Sequence, residues 1–315
     1  LLLQADAGAG ALELALTLAQ AWLCEAPSAA AARRPCGACP ACRLVQAFTH
    51  PDLFVAVPEE IALTHGIPVD HDDKRKPSRQ IRIDEVRRAL DWVVTTSGRG
   101  RAKVLVLHPA TALNAVSASA LLKTVEEPPA GVRIVLTADD PARLLPTLLS
   151  RCQRLRVVPP GEPEALAWLQ SRGVADARVL LAAAGRLPLE ALRLHGAGID
   201  AARWAALPQA VLQGQAAAFD GWGAPRVVDA LLKLCHDTMV RAAGGATRYF
   251  PGAAVPARAG WGRLAAWHRQ LQVLAAQAEH PWNEGLLLES LLWQAQHALA
   301  EAPVTEPAAF ATLPP

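Results

Sequence analysis

The chain opens with LLLQADAGAGALELALTLAQAWLC (residues 1–24), and the reading of this stretch decides the fold of everything up to residue 158. Three consecutive leucines suit a buried strand. A small loop with Gly8 and Gly10 follows, and then apolar residues recur at helical spacing to about Cys24. Strand, glycine loop and helix form the frame of a phosphate-binding loop. In such a loop backbone N–H groups cradle the phosphates, a lysine reaches the terminal ones and a hydroxyl holds magnesium. Here the lysine position is Ala11, the hydroxyl position is Leu12, and Ala5 replaces the first glycine. A degenerate nucleotide loop and an ordinary glycine turn both fit the opening stretch, so the rest of the chain must choose.

Working outward, strands and helices alternate to residue 158. A cysteine-rich segment (24–43) precedes a polar, proline-bearing loop (50–80). QIRIDEVRRALDWVVTT then reads as a short strand, an N-cap at Asp84 and an amphipathic helix. KVLVLH (103–108) and RIVLTA (133–138) read as buried strands, NAVSASALLKTVEEPP (114–129) as a helix stopped by two prolines, and QRLRVV (153–158) as a last strand after the short helix of ARLLPTLLS. This order predicts a parallel sheet covered by helices on both faces. Beyond it the strand signal vanishes. Three short helices are expected over 162–198, and longer ones over 200–213, 225–242, 259–279 and 283–300, before a proline-rich tail.

Composition narrows the function. The chain has 315 residues, of which 52% are hydrophobic and 19% charged, enough for two or three packed domains, and the net charge of +2 does not suggest a nucleic-acid surface. The basic residues Lys74, Arg75, Lys76, Arg79 and Arg82 follow Asp70, Asp72 and Asp73, the pattern of a solvated loop. One tyrosine and five phenylalanines give little material for stacking single-stranded bases. No apolar run reaches the ~18 residues of a membrane span. The first residues show neither an initiator methionine nor a basic n-region, so a trimmed N-terminus, no signal peptide and a cytoplasmic location are expected.

Of six cysteines, Cys24, Cys36, Cys39 and Cys42 lie close together, the last three in CGACPAC, two C-x-x-C steps sharing a residue. Each step turns two thiolates toward one ion, and a fourth from Cys24 would close a tetrahedral structural zinc site. Reduced, incidental thiols or a redox pair are the alternatives. The eleven-residue spacer after Cys24 is long, but loop closure grows costlier only slowly with length. Cys152 and Cys235 stand in apolar surroundings and read as buried small residues.

In a working phosphate-loop ATPase a later strand ends in an acid that holds magnesium. The matching strand here ends in His108-Pro109-Ala110, and the next ends in Ala138 where a polar sensor residue would stand. Lysine, hydroxyl, acid and sensor are all missing, so the loop should hold no nucleotide. TLLSRCQRL places Arg151 at the end of a short helix, where it can reach across a subunit boundary to a neighbour's transferring phosphoryl group, or simply form a surface ion pair.

ALLKTVEEPP, LLSRC, HPDL and the CGACPAC insert together resemble the clamp-loader subunits of bacterial DNA polymerase III. Two branches share these motifs, the ATP-hydrolysing tau/gamma subunit and the non-hydrolysing delta-prime subunit. The missing lysine and acid, AGRLPLEAL with Pro188 where a sensor arginine would stand, and NEGLLLESLLWQ near the C-terminus resemble delta-prime. The resemblance implies an AAA+-type α/β P-loop NTPase-like domain (1–158, zinc module within 24–43), a helical lid domain (159–199), an all-α collar domain (200–302) and a flexible tail (303–315). It also implies a heteropentameric clamp loader with motor and delta subunits as partners, and with the sliding clamp and primer-template DNA reached indirectly. Arg151, positioned by Ser150 and Cys152, would act in trans as an arginine finger, with no reaction at this chain's own site. The competing readings are an active motor subunit of the same assembly and a free-standing zinc-ribbon protein that binds nucleic acid.

Overall fold

A computed structural model describes residues 1–27, 34–72, 75–256, 259–277 and 282–300. The expected tail at 303–315, part of the cysteine-rich spacer, Asp73 and Lys74 lie outside the described residues. The chain divides into two compact units, Leu1–Pro159 and Pro160–Pro315.

The first unit is built on a parallel five-stranded sheet in the order β2-β3-β4-β1-β5: β1 (Leu2–Gln4), β2 (Leu53–Ala56), β3 (Lys103–Leu107), β4 (Val132–Ala138) and β5 (Arg154–Arg156). Side chains along a strand alternate between faces, and that alternation sorts the core into two layers. Leu3, Val104, Val106 and Val135 pack with Leu12, Ala15, Ala19 and Leu23 of helix α1 (Ala11–Leu23). Leu2, Leu105, Leu107 and Leu136 pack on the other face with Val86, Ala89 and Val93 of α4 (Ile83–Val93) and Leu121 of α5 (Ala115–Glu126). Strands buried on both faces read as continuous apolar runs, which is why LLL and VLVL are so plain in the sequence. Asn114 caps α5 through its side chain, accepting from the Ser117 N–H at 2.8 Å.

Two expectations need correction. The span 50–80 is not all loop, for it contains β2 and helix α3 (Glu59–His65), after the short α2 (Pro40–Gln46). LFVA is too short to show a period, and the prolines beside it mask a strand whose partner lies fifty residues away. Asp84 is not the N-cap of α4. Arg82 holds that position without a side-chain capping bond, while Asp84 and Glu85 lie in the first turn, where a carboxylate meets the positive end of the helix dipole. The expected short strand there is reduced to a single bridge from Ile81 to Leu113.

The second unit is helical: α7 (Glu162–Ser171), α8 (Ala177–Ala183), α9 (Pro188–Gly196), α10 (Ala201–Leu212), α11 (Ala224–Ala242), α12 (Trp261–Ala276) and α13 (Glu284–Leu299). All contribute to one apolar core that includes Trp204, whose ring stacks on Phe250 at 4.8 Å between centroids. Inside it Asp237 is fully buried and accepts from the backbone N–H groups of Arg248, Tyr249 and Phe250 at 2.9, 2.7 and 2.8 Å, clasping that turn against α11. Among the described residues no helix is long and apolar enough to cross a membrane.

Candidate functional site

The four clustered cysteines come from two places. Cys24 ends α1, and Cys36, Cys39 and Cys42 sit at the entry to α2, with Cys39 as its N-cap and Pro40 at its first position. Their sulfurs all lie within 4.8 Å of one another, with Cys36 Sγ to Cys42 Sγ at 3.9 Å and Cys39 Sγ to Cys24 Sγ at 4.0 Å. Backbone N–H groups surround them: Cys39 N–H donates to Cys36 Sγ and Cys42 N–H to Cys39 Sγ, both at 3.4 Å, and Ala26 and Cys36 N–H donate to Cys24 Sγ at 3.5 Å. The N–H groups of Ala38 and Cys39 bring the Cys36 thiol down to about 6, while burial pushes the Cys42 thiol up to about 12. A cation among four sulfurs favours the thiolate at each, so metal binding would release protons. The donor set is soft and oriented, buried at Cys24 and Cys42 and open to solvent at Cys36, and four thiolates leave no free position, which fits a metal ion in a structural role.

The glycine loop keeps two left-handed glycines and lacks the side chains of a phosphate site. Gly8 and Gly10 take φ of 82° and 86°, the left-handed region open to glycine, and Gly10 delivers the chain into α1. Ala11 begins the helix. Leu12 is 1% exposed and belongs to the core between α1 and the sheet, so a side chain here meets Val104 and Val106 rather than solvent. At the strand end where a magnesium acid would stand, His108 pairs its Nδ1 with Thr137 Oγ1 at 2.7 Å, and Pro109 follows. A cleft of about 230 Å³ at the C-terminal ends of β1, β4 and β5 is bordered by Asp6, Asp139 and Arg156. Burial opposes ionisation of Asp139, yet the Asp140 N–H and the Thr111 hydroxyl outweigh it and hold the carboxyl below its usual range. Two carboxylates against one guanidinium make this cleft unfavourable for a polyphosphate.

Arg151 follows α6 (Pro146–Leu149) directly after Ser150. Its Nε donates to Glu126 Oε2 at 2.7 Å, and its Nη1 donates to Thr147 O at 2.9 Å and lies 3.5 Å from Ser150 Oγ. The side chain is 32% exposed. Ser150 itself donates to Thr147 O at 3.1 Å, and Cys152, half-buried, has its thiol pushed up by that burial. Glu126 is the partner that the sequence reading missed. The paired acids of the EEPP run were its signal, but nothing local says that they face a residue 25 positions on.

Residues 1–160 match the family model described as DNA polymerase III, delta subunit. The chain belongs to this family. A protein of Pseudomonas aeruginosa named DNA polymerase III subunit delta′ is 42% identical over 203 residues, 63% of this chain and 56% of that protein. The Escherichia coli protein of the same name is 37% identical over 187 residues, 59% of this chain and 50% of its own length. Escherichia coli subunit tau is 34% identical over 145 residues, 46% of this chain and 19% of that protein. The chain thus spans about half the length of the delta′ relatives it matches. Membership of the delta family and the likeness to delta′ proteins agree with the motif resemblance. Matches to tau are expected on the same ground, because the two branches share the α/β motifs.

Proposed function

We propose that this chain is the non-hydrolysing delta′ subunit of a DNA polymerase III clamp loader, a stator that helps motor and delta subunits place the sliding clamp on primer-template DNA in the cytoplasm. The observation that carries the reading is Leu12. The residue at the hydroxyl position of the phosphate loop is built into the core, so the cradle is structurally committed and not merely short of one side chain. His108 and Pro109 at the acid position support the same conclusion. The helices of 159–199 would serve as the lid and those of 200–302 as the collar that joins the ring.

Arg151 would act in trans. A guanidinium keeps its charge and offers a planar fork of donors, which suits a phosphoryl group spreading charge over its oxygens. Glu126, Thr147 and Ser150 hold it at the surface beside the last strand, positioned before any partner arrives. The metal at the four cysteines would be zinc. Tetrahedral coordination with Zn–S near ~2.3 Å places sulfurs ~3.8 Å apart, close to the two spacings of 3.9 and 4.0 Å found here.

Reconstitution of the complex with Arg151→Ala tests the reading. The ring should assemble normally by sizing, while DNA-dependent ATPase and clamp loading fall. Arginine fingers in trans contribute ~10³–10⁵ in well-studied GTPases; one site among several predicts a smaller loss for the whole complex. Arg151→Lys should rescue little. Normal ATPase with Arg151→Ala would reduce the arginine to a surface residue, and saturable binding of Mg-ATP to the isolated chain would revive the motor reading.

A further inference from the structure

HPDL (residues 50–53) is a motif that neither the glycine loop nor Arg151 uses, and the structure turns its first three residues to one task. Asp52 is buried, and its carboxylate grips the turn before β3. Gly98 N–H donates to Oδ1 at 2.7 Å, and Arg99 N–H and the Ser97 hydroxyl donate to Oδ2 at 2.9 and 3.0 Å. Hydrogen bonds to an ionised carboxylate are about twice as strong as neutral ones, so this turn is firmly held. Asp52 N–H donates to His50 Nδ1 at 3.0 Å. Burial, more than any charge nearby, pushes the His50 pKa below its ordinary value and keeps that nitrogen an acceptor. Trp92 Nε1 donates to Pro51 O at 3.0 Å, and a Cβ at Gly98 would stand 3.4 Å from the Pro51 ring.

The turn aims one arginine at the cysteines. Arg99 Nε and Nη2 both reach Glu25 Oε1, at 2.7 and 2.6 Å, from 74 positions along the chain. Glu25 follows Cys24 at the end of α1, and the next residue, Ala26, donates its N–H to Cys24 Sγ at 3.5 Å. Glu25 therefore sits inside the turn that presents the Cys24 sulfur. Its carboxylate stands at the negative end of a helix dipole, one residue from a sulfur cluster that stays net negative around a divalent ion. Arg99 supplies the cation that offsets both. Cys36, Cys39 and Cys42 need no such support, because they come from one short stretch and are set by their own backbone N–H groups.

We propose that Arg99, locked by Asp52, is a positioning residue for the metal: it holds the end of α1 so that Cys24 completes the site begun by Cys36, Cys39 and Cys42. This rests on the metal reading above. At 33% and 27% exposure the ion pair is too open to add much to folding. Its contribution is to order one ligand before the ion arrives. Such coupling is reciprocal: if Arg99 favours the metal, the metal must in turn order the Ser97–Arg99 turn.

The test measures zinc affinity of the full chain by competition with a chromophoric chelator. Arg99→Ala should weaken binding about tenfold, the lower end of the range for residues that orient metal ligands from outside. Arg101, exposed two positions on, has no side-chain partner among the described residues, and Arg101→Ala should leave the affinity unchanged. Asp52→Asn should match Arg99→Ala, and the double variant should lose no more than either single one, since both act through one path. Where Asp52→Asn unfolds, Arg99→Ala and hydrogen exchange decide. In the wild type, removing zinc should speed exchange of the Gly98 and Arg99 amides; in Arg99→Ala the amides at 98 and 99 should exchange alike with and without zinc. Wild-type affinity in Arg99→Ala, an equal loss in Arg101→Ala, additive losses in the double variant, or wild-type exchange indifferent to zinc overturns the proposal alone. A wild-type chain that binds no zinc overturns the metal reading and the proposal with it.

Discussion

Restoring the phosphate-loop side chains should damage this protein without giving it a nucleotide. The double variant Ala11→Lys, Leu12→Thr rebuilds the lysine and hydroxyl of a working loop. Ala11 is partly exposed at the first position of α1, and a lysine there disturbs little. Leu12, however, is 1% exposed and packs with Ala15 and Ala19 against Val104, Val106 and Val135. A fully buried leucine contributes ~1.5–3 kcal/mol. Threonine keeps a methyl group but adds a hydroxyl that must bond back to the preceding turn, so the net loss is about 2–3 kcal/mol. For a unit of this size that lowers the unfolding temperature by about 5–10 °C. Binding should stay absent because His108 occupies the acid position and bonds Thr137, and because Asp6 and Asp139 border the cleft. Thermal unfolding followed by calorimetric titration with Mg-ATP reads both effects. A micromolar dissociation constant with an unchanged unfolding temperature would refute the claim that the cradle is committed to packing.

Other outcomes follow from the same geometry. Metal analysis should find about one zinc per chain, as four thiolates around one ion require, and serine at Cys24, Cys36, Cys39 or Cys42 should each lower it; full retention in Cys24→Ser alone would name the wrong fourth ligand. Asp237→Ala strands three backbone N–H groups in the helical core and should cost about 3–5 kcal/mol in urea unfolding, whereas Arg87→Ala, which breaks an exposed pair with Asp84, should cost less than ~0.5 kcal/mol. Glu59 accepts from Ser78 N–H and pairs with Arg82 and Arg75, which together hold its carboxyl below the usual range. Its stabilisation is therefore fully present above the ordinary glutamate range and is lost as pH falls through the lowered value. Glu59→Gln should be less stable than wild type at pH 7, with the gap closing in acid; a gap independent of pH would remove the charge from the explanation.

Much of the fold was legible because its central strands are buried on both faces. LLL, KVLVL and RIVLTA read as largely apolar runs, and the spacing between KVLVL and RIVLTA leaves room for a connecting helix. The helices of the second unit were equally plain from 3.6-residue periodicity. The altered loop could be read residue by residue, since Ala11, Leu12 and His108 stand at fixed offsets from the glycines and strands. Cysteine spacing named the four sulfurs but not their approach, because Cys24 reaches the others across a spacer with no geometric information in its length. Only the folded chain could decide that β2 forms at all, since a four-residue edge strand is defined by the backbone row it meets rather than by its own pattern. The same holds for Leu12 facing the core, for Glu126 holding Arg151 and for Asp237 closing over three N–H groups. Local sequence carries periodicity, caps and offsets within a few residues. Which distant groups meet is set when the layers pack, and the polar contacts that orient the site are among those distant meetings.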